Sequence, residues 1–174
     1  MKRYILAVAC AVLALAGLAP AQTTILAVAV GPEAALSVAS ATTSLATTST
    51  SFGNPFSGTT ALTYTIRTSK TNGTGSITLQ ITADFSGAGG PSVGTPPSAG
   101  DALTYTCSVG APGTPCSNTQ TAATTKATAV GSFGAGASSA KAGNAASVAW
   151  ALTDDPAYAT GTYSATATFT ISAA

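Results

Sequence analysis

The chain has no histidine, one methionine and one tryptophan, and only 6% of its 174 residues are charged. Each shortage removes a class of function. Without histidine there is no Ser-His-Asp or Cys-His nucleophile system, and the usual zinc and copper ligand sets go with it. Six basic residues against five acidic ones give no basic stripe for nucleic acid or anionic lipid. The charge fraction lies far below the roughly 25% of an ordinary soluble domain. The surface must therefore be covered by Thr, Ser, Asn, Gln and backbone, and low charge weakens the repulsion that keeps molecules apart. That suits a protein that stays assembled or attached. No nucleophile elbow, phosphate loop or dinucleotide fingerprint is present. Gly87-Ala88-Gly89-Gly90 and Gly134-Ala135-Gly136 lack the Lys-Ser/Thr and the helix that a phosphate cradle requires, and read as loops.

What is present begins with an export signal. Lys2 and Arg3 precede an apolar run, Tyr4 to Leu18, and the small residues Ala19-Pro20-Ala21 follow. The run has about 15 residues, short of the roughly 20 of a spanning helix, so residues 1–21 read as a cleaved signal peptide. Cys10 lacks the upstream Leu of a lipidation site. Residues 22–174 then form one domain with a net charge of one negative unit, and no membrane partner is expected after cleavage.

Two cysteines remain, Cys107 and Cys116, flanking a loop rich in Gly and Pro. In an exported chain this pair reads as a structural disulfide, worth about 2–3 kcal/mol for a loop of this size. Redox motifs hold two residues between their cysteines and this pair holds eight. The two lie too near in sequence to join opposite sheets over a Trp, as the disulfide of antibody domains does.

The mature chain is dominated by period-two alternation, which gives a strand one buried and one wet face. It is clearest in Gly161–Ala174, where Tyr163, Ala165, Ala167, Phe169 and Ile171 alternate with Ser and Thr. This reads as a closing strand inside the fold. Leu36 and Val38 mark a short strand; residues 41–51 read as a weak edge strand or a connector. Leu62, Tyr64 and Ile66 mark one strand and Ile77, Leu79 and Ile81 another, and the Asn72-Gly73 turn between them predicts a hairpin. Leu103, Tyr105, Cys107 and Val109 form a further inward row, as do Val148, Trp150 and Leu152. Residues 120–130 read as one Thr/Ala strand, and 85–100 and 131–143 as long loops, the second holding Phe133. Residues 22–30, Q-T-T-I-L-A-V-A-V, are either a first strand or an arm that pairs with another molecule. Eight or nine strands and no helix predict an all-β fold, an antiparallel immunoglobulin-like β-sandwich.

The binding candidates are few. Asp154 and Asp155 are adjacent, so on an extended segment they face opposite ways and cannot flank one bond as a glycosidase pair does. Before Pro156 they can instead accept turn N–H bonds. A calcium site is the other use of these acids, with Asp101 or Asp84 as a further ligand. Tyr158 lies outside any alternating run and is the candidate for an exposed sugar-binding ring, whereas Trp150 shares its parity with core residues. No catalytic residue, metal or cofactor is assigned, and the chain reads as a non-enzyme.

The ending G-T-Y-S-A-T-A-T-F-T-I-S-A resembles the last strand of exported bacterial immunoglobulin-like surface proteins. It is also similar to the closing strand of WxL cell-surface domains, with Phe169 where a Trp would stand. The apolar stretch Ile25–Val30 together with the alternating last strand resembles chaperone–usher pilus subunits. These resemblances imply a secreted or cell-surface adhesive or structural protein. Its partners would be itself, another surface protein, or polysaccharide or cell wall.

Overall fold

The computed structural model describes residues 24–47 and 51–174; the signal peptide reading falls outside the described residues. Among them there is no helix, and nine strands form two antiparallel sheets packed face to face. The strands are β1 (Glu33–Val38), β2 (Phe56–Arg67), β3 (Gly75–Ala83), β4 (Thr104–Val109), β5 (Thr114–Pro115), β6 (Gln120–Thr121), β7 (Thr128–Phe133), β8 (Asn144–Leu152) and β9 (Thr166–Ala173). One sheet has the order β1-β2-β8-β4-β6 and the other β5-β7-β3-β9.

The inward rows read from the sequence make the core. Leu62, Tyr64 and Ile66 of β2, Ile77, Leu79 and Ile81 of β3, and Val148, Trp150 and Leu152 of β8 are all buried, while the Ser, Thr and Ala between them are more exposed. Large rings cross between the layers. Tyr64 of β2 meets Phe133 of β7 with ring centroids 5.0 Å apart. Tyr105, Trp150 and Phe169 form a second chain of contacts at 5.5 and 6.5 Å. The Trp150 indole donates to the buried Thr60 hydroxyl at 2.8 Å, so this ring is core and its polar atom is satisfied.

The structure corrects the sequence reading in five places. The strands before and after Asn72-Gly73 do not form a hairpin. β2 pairs with β1 and β8, and β3 with β7 and β9, so the turn carries the chain from one sheet to the other. In a hairpin the two apolar rows would lie side by side on one face; on opposite sheets both point into the shared core and help to cover each other. Asn72 does take a left-handed conformation, φ 56°.

Residues 120–130 are not one strand, because the chain changes sheets again between β6 and β7. Phe133 is not in a loop: β7 runs through it, and its ring is 4% exposed. The register shift between Ile77 and Thr78 leaves Val130 as an extra residue opposite β3, a bulge that buries both Val130 and Gly131. Gly131 is needed there, since a Cβ would lie 2.9 Å from the Val109 side chain.

The disulfide does join the sheets. Cys107 lies in β4, and Cys116 follows β5, its N–H bonded to Val130 O of the opposite layer at 2.9 Å. The short 110–113 turn spans the sandwich at its edge, where the layers are close enough for a Cα–Cα distance of 5.6 Å. Finally, β9 is an edge strand. It pairs only with β3 among the described residues, and Ala167, Phe169, Ile171 and Ala173 are half-buried.

Ile77 and Ile171 face each other across the β3–β9 pair and make a matched test of that position. Ile77 is fully buried, so Ile77→Ala should cost about 3–4 kcal/mol in urea unfolding. Ile171→Ala, measured in dilute protein, should cost about 1–2 kcal/mol because part of its area is already wet. Equal losses would mean that β9 is covered.

Candidate functional site

Two regions hold what the sequence singled out: the side of the sandwich where β1 and β9 lie, and the loops around Asp101 and Asp155. Four strands end the two sheets, β1 and β9 on the first side and β5 and β6 elsewhere. β5 and β6 are two residues each, so the extended free edges belong to β1 and β9. β1 carries Glu33, whose carboxylate meets Arg67 at 3.1 Å, while Arg67 Nε donates to Gly31 O at 2.7 Å and fixes the root of the preceding segment. β9 carries no charge and no proline. Charge, proline and bulges are the usual protections of a sheet edge. Its only irregularity is near its start, between Ile81 and Ala83 of its partner.

The segment before β1 is not a core strand. Residues 24–32 have no regular structure, and Ile25, Leu26, Val28 and Val30 are 94, 92, 86 and 63% exposed. Their pattern is still that of a strand. In extended form Leu26, Val28 and Val30 share one face and the small Ala27 and Ala29 the other. The first-strand reading does not hold for residues 24–30.

At the loops, the long 85–100 segment is packed rather than free. Asp84 organises its first half. Its Oδ1 accepts the N–H of Phe85 and Val93 at 2.8 and 2.7 Å, and its Oδ2 accepts Gly94 N–H and the Ser92 hydroxyl at 2.9 and 2.7 Å. Burial alone would raise this carboxyl, but the four donors outweigh it and hold it below the ordinary carboxylate range. The glycines have a packing reason: the Tyr163 ring lies against Gly87 and Gly90 where a Cβ would stand. Tyr163 donates to Ala159 O, and Ala159 N–H to Gly89 O, each at 2.7 Å. Sequence alone showed Gly-Ala-Gly-Gly as a loop and placed Tyr163 in the alternating row of the last strand; β9 begins only at Thr166, and Tyr163 instead lies on the glycines.

Asp155 and Tyr158 come together with Asp101. Asp155 Oδ1 accepts Ala157 N–H at 2.6 Å, the turn bond expected before Pro156. The Ser98 hydroxyl and this N–H hold the Asp155 carboxyl low. Asp101 is 4% exposed, and burial first, then the neighbouring Asp155, pushes its carboxyl up. Tyr158 is not an exposed ring. It is half-buried and its hydroxyl is sealed from solvent, and burial followed by the nearby acids raises its pKa well above that of an ordinary phenol. Asp154 is half-buried beside this pair. Asp84 serves its own loop, and among the described residues no three acidic, histidine or cysteine side chains are placed to hold a metal ion. Comparison with protein-family models, curated proteins and solved structures finds no match for this chain.

The Asp84 hub sets a pH-dependent contribution. Because its pKa is lowered on folding, the stabilisation is present above the ordinary Asp pKa and is lost as pH falls through the folded value. Asp84→Ala should therefore cost about 2 kcal/mol near neutral pH. In urea titrations the gap to the parent protein should close on acidification; a gap independent of pH would refute this role.

Proposed function

We propose that the chain is an exported, non-enzymatic structural or adhesive protein of the bacterial cell surface or extracellular space, and that it assembles by strand addition. The observation that carries this reading is the combination on one molecule of a long, uncharged β9 edge with a half-exposed apolar row and an exposed apolar arm of strand-like pattern. An edge strand offers a row of unpaired N–H and C=O groups, and a partner strand gains main-chain hydrogen bonds and side-chain burial together. The absence of histidine supports the non-enzymatic part. The disulfide supports an oxidising location. No helix among the described residues is long and apolar enough to cross a membrane. The two antiparallel sheets and repeated crossings between them support the immunoglobulin-like reading.

A carbohydrate- or cell-wall-binding module is the second reading. Its support is the Thr- and Ser-rich outer faces and the exposed ring of Phe52, but Trp150 is buried, Tyr158 faces Asp101, and Tyr163 covers glycines.

The test compares the mature chain from Gln22 with a chain starting at Glu33, by size-exclusion chromatography with light scattering over a range of concentrations. The longer form should assemble with concentration and the shorter form should remain a monomer. Val28→Asp in the longer form should also weaken assembly. Monomeric behaviour of both chains at all concentrations would sink the strand-addition reading.

A further inference from the structure

Four basic residues are scattered along the described chain, and the fold gathers three of them at one end of the sandwich. Arg67 ends β2, Lys70 follows on the crossing to β3, and Lys141 stands on the turn before β8. The acids mostly go the other way. Asp84 follows β3, and Asp154 and Asp155 follow β8. Asp101 precedes β4, whose Thr104 pairs with Ala151 near the end of β8. β8 alone has nine residues, about 30 Å of strand, against a screening length of about 8 Å at physiological salt. The distant acids therefore do not neutralise the basic end. Glu33 is the one acid placed there, and its carboxylate is engaged with Arg67 at 3.1 Å; among the described residues no acid pairs with Lys70 or Lys141.

A groove of about 310 Å³ runs over the end of β2, from the start of β1 to the 138–141 segment, with Arg67 and Lys141 in its lining. Its shape is held by hydrogen bonds. Ser139 N–H donates to Ile66 O at 3.0 Å, and Ile66 N–H to the Ser139 hydroxyl at 2.9 Å. Thr68, 5% exposed, donates its hydroxyl to Gly134 O at 2.7 Å and accepts Ala137 N–H at 2.8 Å. The segment that carries Lys141 is thus fixed to the strand that carries Arg67. Nε and Nη2 of Arg67 are taken by Gly31 O and Glu33, which leaves Nη1 open among the described residues. Thr65 and Ser138 bring hydroxyls to the groove, and Ala35 and Ala140 add little bulk.

We propose that this groove binds an acidic polysaccharide, a hydroxyl-rich chain that carries carboxylates on its sugar units. Arg67 and Lys141 take the carboxylates, the first with what remains of its planar fork and the second as a point charge. Lys70, at the same end but outside the groove, adds to the field that draws the chain in. Charge complementarity selects an anion. The hydroxyl lining, without an aromatic ring to receive a peptide side chain, favours a sugar chain over an acidic peptide. The inference depends on neither β9 nor the arm, so it is separate from strand addition. It gives the carbohydrate-binding reading a site that needs no stacking ring.

The experiment titrates the dilute mature chain, labelled for amide NMR, with hexagalacturonate and, in parallel, with neutral maltohexaose. Hexagalacturonate should shift the amides of residues 33–35, 65–67 and 138–141, and maltohexaose should leave them in place. Raising sodium chloride from about 50 mM to about 300 mM should weaken binding about tenfold, because the contacts are exposed and charged. Lys141→Ala should weaken it about three- to fivefold, and Lys70→Ala with Lys141→Ala about tenfold. Lys126 is exposed between β6 and β7 and outside the groove, so Lys126→Ala should leave binding unchanged. Size-exclusion of the same samples reads assembly independently, so a failure of strand addition and a failure of this site are told apart. Absence of the shifts, or equal shifts with maltohexaose, would overturn the site. Equal weakening by Lys126→Ala would do so too, since only diffuse charge would then be acting. Equally tight binding of a hexaglutamate peptide would overturn the assignment to a sugar.

Discussion

Two stacked sheets with little charge and few aromatic residues depend on where the large rings stand. Here the rings are arranged as ties between layers. Tyr64 and Phe133 join the centre of one sheet to that of the other, and Tyr105, Trp150 and Phe169 reach the β9 edge. Each phenol or indole that enters the core also carries its polar atom to a partner. Tyr64 donates to Gly110 O, Tyr105 to Ala129 O, and Trp150 to Thr60. A buried polar atom left unpaired would cost about 1–3 kcal/mol, a large share of the stability of a domain. The turn at Gly110 that accepts the Tyr64 bond is therefore a structural part of the core, while the other two acceptors lie on β7 and β2. The disulfide acts at the same junction, closing the edge at which β4 passes to β5.

The shortage of charge has a second consequence. The outer faces of both sheets are built from Ser, Thr and Ala. Across β3 and β9 the hydroxyls also bond to each other, Ser76 with Ser172 at 3.1 Å and Thr82 with Thr168 at 2.8 Å. Such side chains are short and suit the pleated surface. They satisfy water without setting up the repulsion between molecules that a charged face provides. The same choice that makes regular strands thus leaves the edge undefended. Glu33 and Arg67 are the exception, and they stand at β1 rather than at β9.

The inward rows were legible because alternation is a local property: Leu62-Tyr64-Ile66 and Ile77-Leu79-Ile81 announce buried faces from neighbours two positions apart. Sheet membership is not local. The Asn72-Gly73 turn suits a hairpin and a sheet crossing equally well, and only the covering of both apolar rows by a facing layer decides between them. Cys107 and Cys116 were legible as a bond, but its span across the sandwich depends on the 110–113 turn. Phe133 was hidden because the bulge at Val130-Gly131 breaks the alternation around it. Asp155 was legible as a turn former. Asp101 joins that turn only after 53 intervening residues of folded chain, and no spacing rule reports that.

β9 shows the limit most clearly. Its perfect alternation says that one face prefers to be dry, and that holds equally for a central and an edge strand. The structure adds that the dry face is only partly covered, by β3 alone and by contacts across the layers. Further burial of Phe169 and Ile171 would contribute at roughly 25 cal/mol per Å² of apolar surface removed from water. The exposed row Leu26, Val28 and Val30 would gain in the same event, so both surfaces favour an added strand. Ordering a nine-residue arm opposes this with about 1–2 kcal/mol of backbone entropy per residue. Apolar contact alone therefore does not guarantee docking. In the proposed assembly, main-chain pairing along an edge free of charge and proline would supply the remaining driving force, and for that reason the edge, more than the hydrophobicity of the arm, would decide whether chains join.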